Sequence, residues 1–392
     1  MIKIKITYLL TVFFSILILI IGHKIAVRDT FNLRNLTQEV VKAKVTRIIE
    51  QDIVEQSLIE EDVPITGSGE RIFFEAKITD GRRKGETVFA IQSMNSFLHG
   101  SQKEVKSGSS ILLINSNNEW YFNGYLRING IIVLICVFVF CLLLFGRGKG
   151  FNTILSLTLT CGAIFAVFIP AILSGMNIYL MSIIVCVYTI TMMILIILGY
   201  NKKALAAIIG CAGGVIVAGI IAIIMDSALH LTGIVDDQSR YLINLPGDLK
   251  LNLKAIIFAG IIIGAMGAIM DVAVSLASSL WEIKEQVKSI SFKELFRSGV
   301  TIGRDIMGSM ADTLILAYIG SSLTVVLILT IFSGSLLGLF NSEMIAVEIL
   351  QALAGSIGIL FAMPLTAFFS SIIYLRKKDD KSLPQTTQTN TN

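Results

Sequence analysis

The chain has 392 residues, 54% of them hydrophobic and only 15% charged, where a typical soluble domain is about 25% charged. With a mean hydropathy of +0.78 it could not cover its surface in water, which excludes a string of soluble domains and assigns most of the chain to lipid. The net charge of +4 is too small to argue for nucleic acid. The five cysteines, Cys136, Cys141, Cys161, Cys186 and Cys211, all lie in apolar runs without CxxC spacing, so neither a disulfide framework nor a cysteine metal site is expected.

Eight apolar segments, near 6–22, 128–145, 152–173, 178–198, 204–225, 255–280, 310–332 and 344–375, approach or exceed the roughly 20 residues that a bilayer core requires of a helix. The fold class that follows is an α-helical polytopic membrane protein of about eight transmembrane helices. The first segment, within residues 1–27, follows Lys3 and Lys5 and lacks an A-x-A-type cleavage site. It reads as an uncleaved signal-anchor helix, with a signal peptide as the alternative.

Within an expected domain of residues 28–126, residues 40–126 have a different texture. Alternating or β-branched runs at Val40–Ile49, Arg71–Ile78, Glu86–Ile91, Ser110–Ile114 and Trp120–Leu126 are separated by turn signals at Thr66-Gly67-Ser68-Gly69, Asp80-Gly81, Ser107-Gly108 and Asn117-Asn118. Five short strands predict an extracytoplasmic β-rich domain, a small OB-like barrel between the first and second spans. The acidic stretch Glu50–Asp62 reads as a loop, and Arg82, Arg83 and Lys84 as a solvated hairpin tip. The segment Gly81–Thr87 lacks P-loop spacing, and no ATP-driving element is present.

Residues 127–376 form the expected seven-helix membrane domain, and 377–392 a disordered cytoplasmic tail. With the N-terminus inside, the inner connections carry fifteen Lys and Arg and the short outer loops three. The positive-inside rule therefore places both termini in the cytoplasm. In the connection 281–309, Trp281 sits at the interface. Two short helices are expected along the inner membrane face, with a capping box at Ser291 and Glu294 and a stop at Gly299.

Ionisable residues inside spans cost about 2.5–3.5 kcal/mol on insertion scales. Three stand out: Asp271, Asp312 and Glu348. Gly264, Gly267, Asp271, Ser275 and Ser278 share one helical face, which is expected to point into the bundle as small residues facing a neighbouring helix. Asp305, Ser309 and Asp312 recur at i, i+4 and i+7. Measured from Glu282 and Arg304 at 1.5 Å per residue, Asp271 lies about 16 Å and Asp312 about 12 Å deep, at similar depth on consecutive spans. Glu348, near the outer end of the last span, can snorkel to the interface.

The stretches GAMGAIMDVAVSLASSL (264–280), GRDIMGSMADTLILAYIGSSL (303–323) and NSEMIAVEILQALAGSIGILFAMPLTA (341–367) resemble the YibE/F-like family of bacterial membrane proteins. The resemblance implies a multi-spanning, permease-like protein without a defined substrate. It implies recurring polar positions at Asp271, Ser275, Arg304, Asp305, Gly308 and Glu348. It also implies an Asn where this chain has Asp312, a departure that weakens an obligatory proton relay there.

The function expected is a secondary transporter or permease. Asp271, Ser275, Ser278, Asp312 and Ser309 would meet substrate or coupling ion, and Arg304, Asp305, Gly264, Gly267, Gly308 and Glu348 would serve structure or gating. The alternative is a membrane scaffold or envelope sensor whose outer domain binds a ligand. An intramembrane aspartyl hydrolase is disfavoured, because Asp312 follows Ser309-Met310-Ala311 rather than Gly-x-Gly. No enzyme activity, cofactor or metal is expected. The expected partners are the lipid bilayer, a small solute or ion, and a second copy or an envelope component.

Overall fold

The computed structural model describes residues 2–27, 39–60, 63–94, 103–116, 118–235, 237–243, 251–287, 289–332 and 335–376. The tail 377–392 lies outside the described residues. The chain divides into two compact units, Asn32–Leu144 and Met1–Phe31 with Phe145–Asn392.

The first unit is built on a barrel of β1 (Val40–Glu60), β2 (Val63–Ile78), β3 (Thr87–Met94), β4 (Ser110–Ser116) and β5 (Glu119–Tyr125), closed in the order β1-β2-β3-β5-β4. All neighbours are antiparallel except β3 and β5. Period-two alternation drives it: Val41, Ala43 and Val45 enter the core with Phe74, Ala76, Ile78, Ile111 and Leu113, while Lys42 and Lys44 between them stay outside. Gly81 and Gly108 take the positive φ of 84° and 85° that their turns require.

Two expectations are corrected. The acidic stretch Glu50–Asp62 is not a loop: β1 continues to Glu60, with Asp62 outside the described residues, and pairs with β2 in an unbroken hairpin ladder as far as Glu60 opposite Val63. The Thr66–Gly69 turn signal falls inside β2 for the same reason, because backbone pairing across the hairpin overrides local turn propensity. Register shifts between Val45 and Arg47 and between Ile48 and Glu50 let the long strand bend where it leaves the barrel. At the basic tip, Arg83 lies 5.7 Å from the Trp120 ring centroid and 3.9 Å from Glu39, so one of its members covers the barrel's tryptophan.

β5 passes into α2 (Ile128–Gly162) without a linker. Leu126 N–H still donates to Ser110 O at 3.0 Å, and Arg127 O already accepts from Ile131 N–H at 3.1 Å. The apolar start of α2 buries none of its side chains. The helix breaks at Arg147 (φ 46°, ψ −127°), where Gly146, Gly148 and Gly150 interrupt the apolar run.

The second unit contains α1 (Ile2–Val27), the remainder of α2, a π-helical turn (Ala163–Phe168), α3 (Ile169–Leu173), α4 (Ile178–Leu198), α5 (Lys202–Ala228), α6 (Asp237–Ile243), α7 (Leu253–Gln286), α8 (Phe292–Ser321), α9 (Leu323–Phe332), α10 (Leu336–Asn341) and α11 (Glu343–Leu375). α5, α7 and α11 form its centre, and Ile269, Leu276, Ala354 and Ala362 are fully buried there. Among the described residues six helices are long and apolar enough to cross a membrane, and α8 with α9, bent by 59°, makes a seventh.

The reading of the connection 281–309 is also corrected. α7 runs to Gln286 and α8 starts at Phe292, so the two surface helices expected over 281–309 are the ends of the long helices themselves. The capping box is present, with Ser291 and Glu294 bonded reciprocally. Gly299 does not stop the helix. It lies at a crossing, where an added Cβ would stand 2.8 Å from Ala367 and 3.0 Å from Leu280. The span expected at 310–332 is two helices joined at the 59° bend.

Candidate polar face on α7 and α8

α7 begins where the Asn252 side chain accepts from Ala255 N–H at 3.2 Å, an N-cap that satisfies one orphan amide. Its apolar residues then alternate with small ones at helical period. Ala265, Ile269, Val272, Ala273, Leu276 and Leu280 are fully buried, and Gly264, Gly267, Asp271 and Ser275 on the opposite side are exposed, with Ser278 half-buried. The five residues share a face, as their spacing requires. The expectation that this face points into the bundle is corrected: the larger apolar side chains fill the space against α5 and α11, and the stripe is left on the outside.

α8 shows the same division. Gly299 and Gly303 are its close-contact positions, the latter leaving room for Met363, while Ile306, Met310 and Leu314 pack on the core. Arg304, Asp305, Gly308, Ser309 and Asp312 are exposed. The helices are held together at two levels, by Leu280 against Gly299 and by the Tyr318 hydroxyl over Gly264, where an added Cβ would stand 2.5 Å from that oxygen. Counting inward from either contact along antiparallel helices brings Asp271 level with residues 308–311. Asp271 thus lies at about the height of Gly308, Ser309 and Asp312.

The charges on these faces are not paired. Among the described residues, Asp271, Arg304, Asp305 and Asp312 make no hydrogen bond or ion pair with one another or with a neighbour. The Ser309 hydroxyl is occupied locally, donating to Ile306 O at 3.0 Å, and the Ser275 backbone carbonyl accepts from the Ser279 hydroxyl at 2.9 Å. Glu348 is half-buried and shares a cavity of about 170 Å³ with Tyr318 and Ser322. Among the described residues no group of three or more His, Cys, Asp or Glu could hold a metal ion.

Sequence reasoning missed two polar anchors. The Glu343 carboxylate at the start of α11 accepts from Thr232 N–H at 2.7 Å, Gly233 N–H at 2.7 Å and the Thr232 hydroxyl at 2.8 Å. It ties the loop after α5 to α11 across more than a hundred residues. Lys254 and Asp226 pair at 3.6 Å beside Tyr179, at a cavity of about 260 Å³ between α4, α5 and α7. The only local signal was an acid in the first turn of a helix.

The model of a family described as YibE/F-like protein matches residues 134–376 of the chain. No curated protein and no solved structure matches it.

Proposed function

The chain belongs to the YibE/F-like family, and from that premise we propose that it is a permease or secondary transporter of a small solute or ion in a bacterial cytoplasmic membrane. The observation that carries this reading is the line of small and acidic residues exposed along α7, from Gly264 to Ser275, at the height of the exposed Ser309 and Asp312 of α8. Hydrocarbon does not solvate such a line, so it faces water or a polar partner. Asp271 and Asp312 would hold a cation or a proton, with Ser275, Ser278 and Ser309 beside them. Gly264, Gly267 and Gly308 would give close approach, and Arg304, Asp305 and Glu348 would govern access. The chain acts without catalytic chemistry in this reading.

The proposal has eight spans, with both termini placed in the cytoplasm by the distribution of Lys and Arg. The apolar run Ile128–Leu173 has 46 residues, about 69 Å of helix, more than twice a bilayer core. Its break at Arg147 divides it into two spans, and α8 with α9 counts as one. The reading of the outer barrel as an envelope sensor draws on one feature, a groove of about 430 Å³ beside Trp120 in which Phe89 is 71% exposed.

Flux into proteoliposomes of purified protein, with and without a pH gradient, tests the proposal. Transport by the native chain and its loss in Asp271→Asn, with normal insertion, is the expected result. Full rescue of every deletion phenotype by Asp271→Asn would favour the scaffold reading.

A further inference from the structure

We propose that the open basin at the junction of β5 and α2 binds the anionic phosphate-ester headgroups of the lipid leaflet on which the barrel stands. The inference rests on the reading of Ile128–Phe145 as a membrane span.

The junction fixes the height of the basin. Leu126 is still bonded into the barrel and Arg127 is already bonded into the helix. Arg127 therefore sits at the boundary between water and hydrocarbon, with no flexible residues to lift the barrel away. The basin, about 1140 Å³, opens beside it and is lined by Lys103, Lys106 and Arg127, by Glu104, and by the rings of Phe122 and Tyr125. Three cations against one acid leave a net positive rim. Lys103, Lys106 and Arg127 are exposed, and among the described residues none of them makes an ion pair.

The wall that carries the lysines is held rigidly. Gln92, only 3% exposed, donates from Nε2 to Lys103 O at 3.0 Å and accepts from Val105 N–H at 2.8 Å. The Tyr125 hydroxyl donates to Glu104 O at 2.5 Å, and Ser107 Oγ donates to Thr46 O at 2.8 Å. A fixed backbone beneath the cations spares the cost of ordering that segment when a ligand is met. Charge-assisted hydrogen bonds to phosphate oxygens are the strong kind, and aromatic rings at the rim suit the headgroup level of a bilayer.

The test uses the full-length protein in nanodiscs of phosphatidylcholine alone or of phosphatidylcholine with phosphatidylglycerol. Hydrogen exchange of residues 103–110 is expected to slow severalfold in the anionic discs at low salt and to recover at high salt. Inorganic phosphate added to the neutral discs should not reproduce the effect, and the triple variant Lys103→Gln, Lys106→Gln, Arg127→Gln should abolish it. Equal exchange in both lipids, equal protection by inorganic phosphate, or undiminished protection in the triple variant would each overturn the proposal. Leu134→Cys separates this failure from failure of the span. Reaction of that cysteine with a water-soluble maleimide removes the span and the inference together, while silence at 134 with lipid-independent exchange removes the inference alone.

Discussion

Gly214 and Gly358 lie backbone against backbone where α5 crosses α11: a Cβ on the first would stand 2.8 Å from the carbonyl oxygen of the second, and a Cβ on the second 3.0 Å from that of the first. One turn earlier on α5, Gly210 leaves space for the Thr366 side chain. Small residues spaced by four let two helices approach this closely in lipid. Gly214→Ala is expected to cost about 1–3 kcal/mol through overpacking, and Gly214→Leu to abolish the folded unit. Gly130→Ala, where nothing stands within 4 Å, is the control. Melting and gel filtration in detergent distinguish the three, and a native profile for Gly214→Leu would refute the close crossing.

Glu343 should govern the loop it holds. Glu343→Ala leaves two backbone amides and the Thr232 hydroxyl without their acceptor, a loss on the order of 2 kcal/mol. Hydrogen exchange at Thr232 and Gly233 should accelerate by at least tenfold, with Glu343→Gln intermediate. Unchanged exchange in Glu343→Ala would show that the carboxylate does not secure the loop.

The barrel should lose stability in acid through Asp80. Its carboxyl is held below the ordinary value of 3.8, first by the hydrogen bond from Lys42, then by the Gly81 amide and the Lys42 charge. The folded value is depressed, so the stabilisation is present above the unfolded pKa and disappears as pH falls through the folded one. The group is fully exposed, so the effect is small. Urea unfolding followed by tryptophan fluorescence between neutral and acid pH should show a component that Asp80→Asn removes. An identical pH profile in the variant would refute the assignment.

Orientation is open to labelling in a background without the native cysteines. Asn118→Cys is expected to react with an impermeant reagent in cells whose outer envelope has been opened. Asp379→Cys should react only after the cytoplasmic membrane is permeabilised. Reaction of Asp379→Cys in sealed spheroplasts would reverse the topology.

Hydropathy made the helices legible, and alternation the strands, because both are local patterns. The Ser291–Glu294 capping box was legible for the same reason, since its bonds close within four residues. The course of β1 beyond Glu50 was not, because its partner is another strand and its own composition suggests a loop. Gly299 carries the signature of a helix end and is instead a point of contact, a distinction made only by Leu280 and Ala367. The stripe around Asp271 could be assigned to one face but not to a direction. In a span the residues on every side are apolar or small, so periodicity does not separate core from exterior. Glu343 was invisible because its donors lie 110 and 111 residues away.

The first helix is synthesised long before anything it binds. Tyr8 donates to Asn152 at 3.0 Å, the Tyr188 hydroxyl to Ser15 O at 3.3 Å, and Ser174 to Ala26 O. His23 Nδ1 donates to Ala166 O at 2.6 Å. The last is a vacancy made by Pro170, which has no N–H to offer the carbonyl four residues before it. All four ties reach across more than 140 residues, with the whole barrel in between. The full set of ties can therefore form only after synthesis has reached Tyr188, with every strand of the barrel already made.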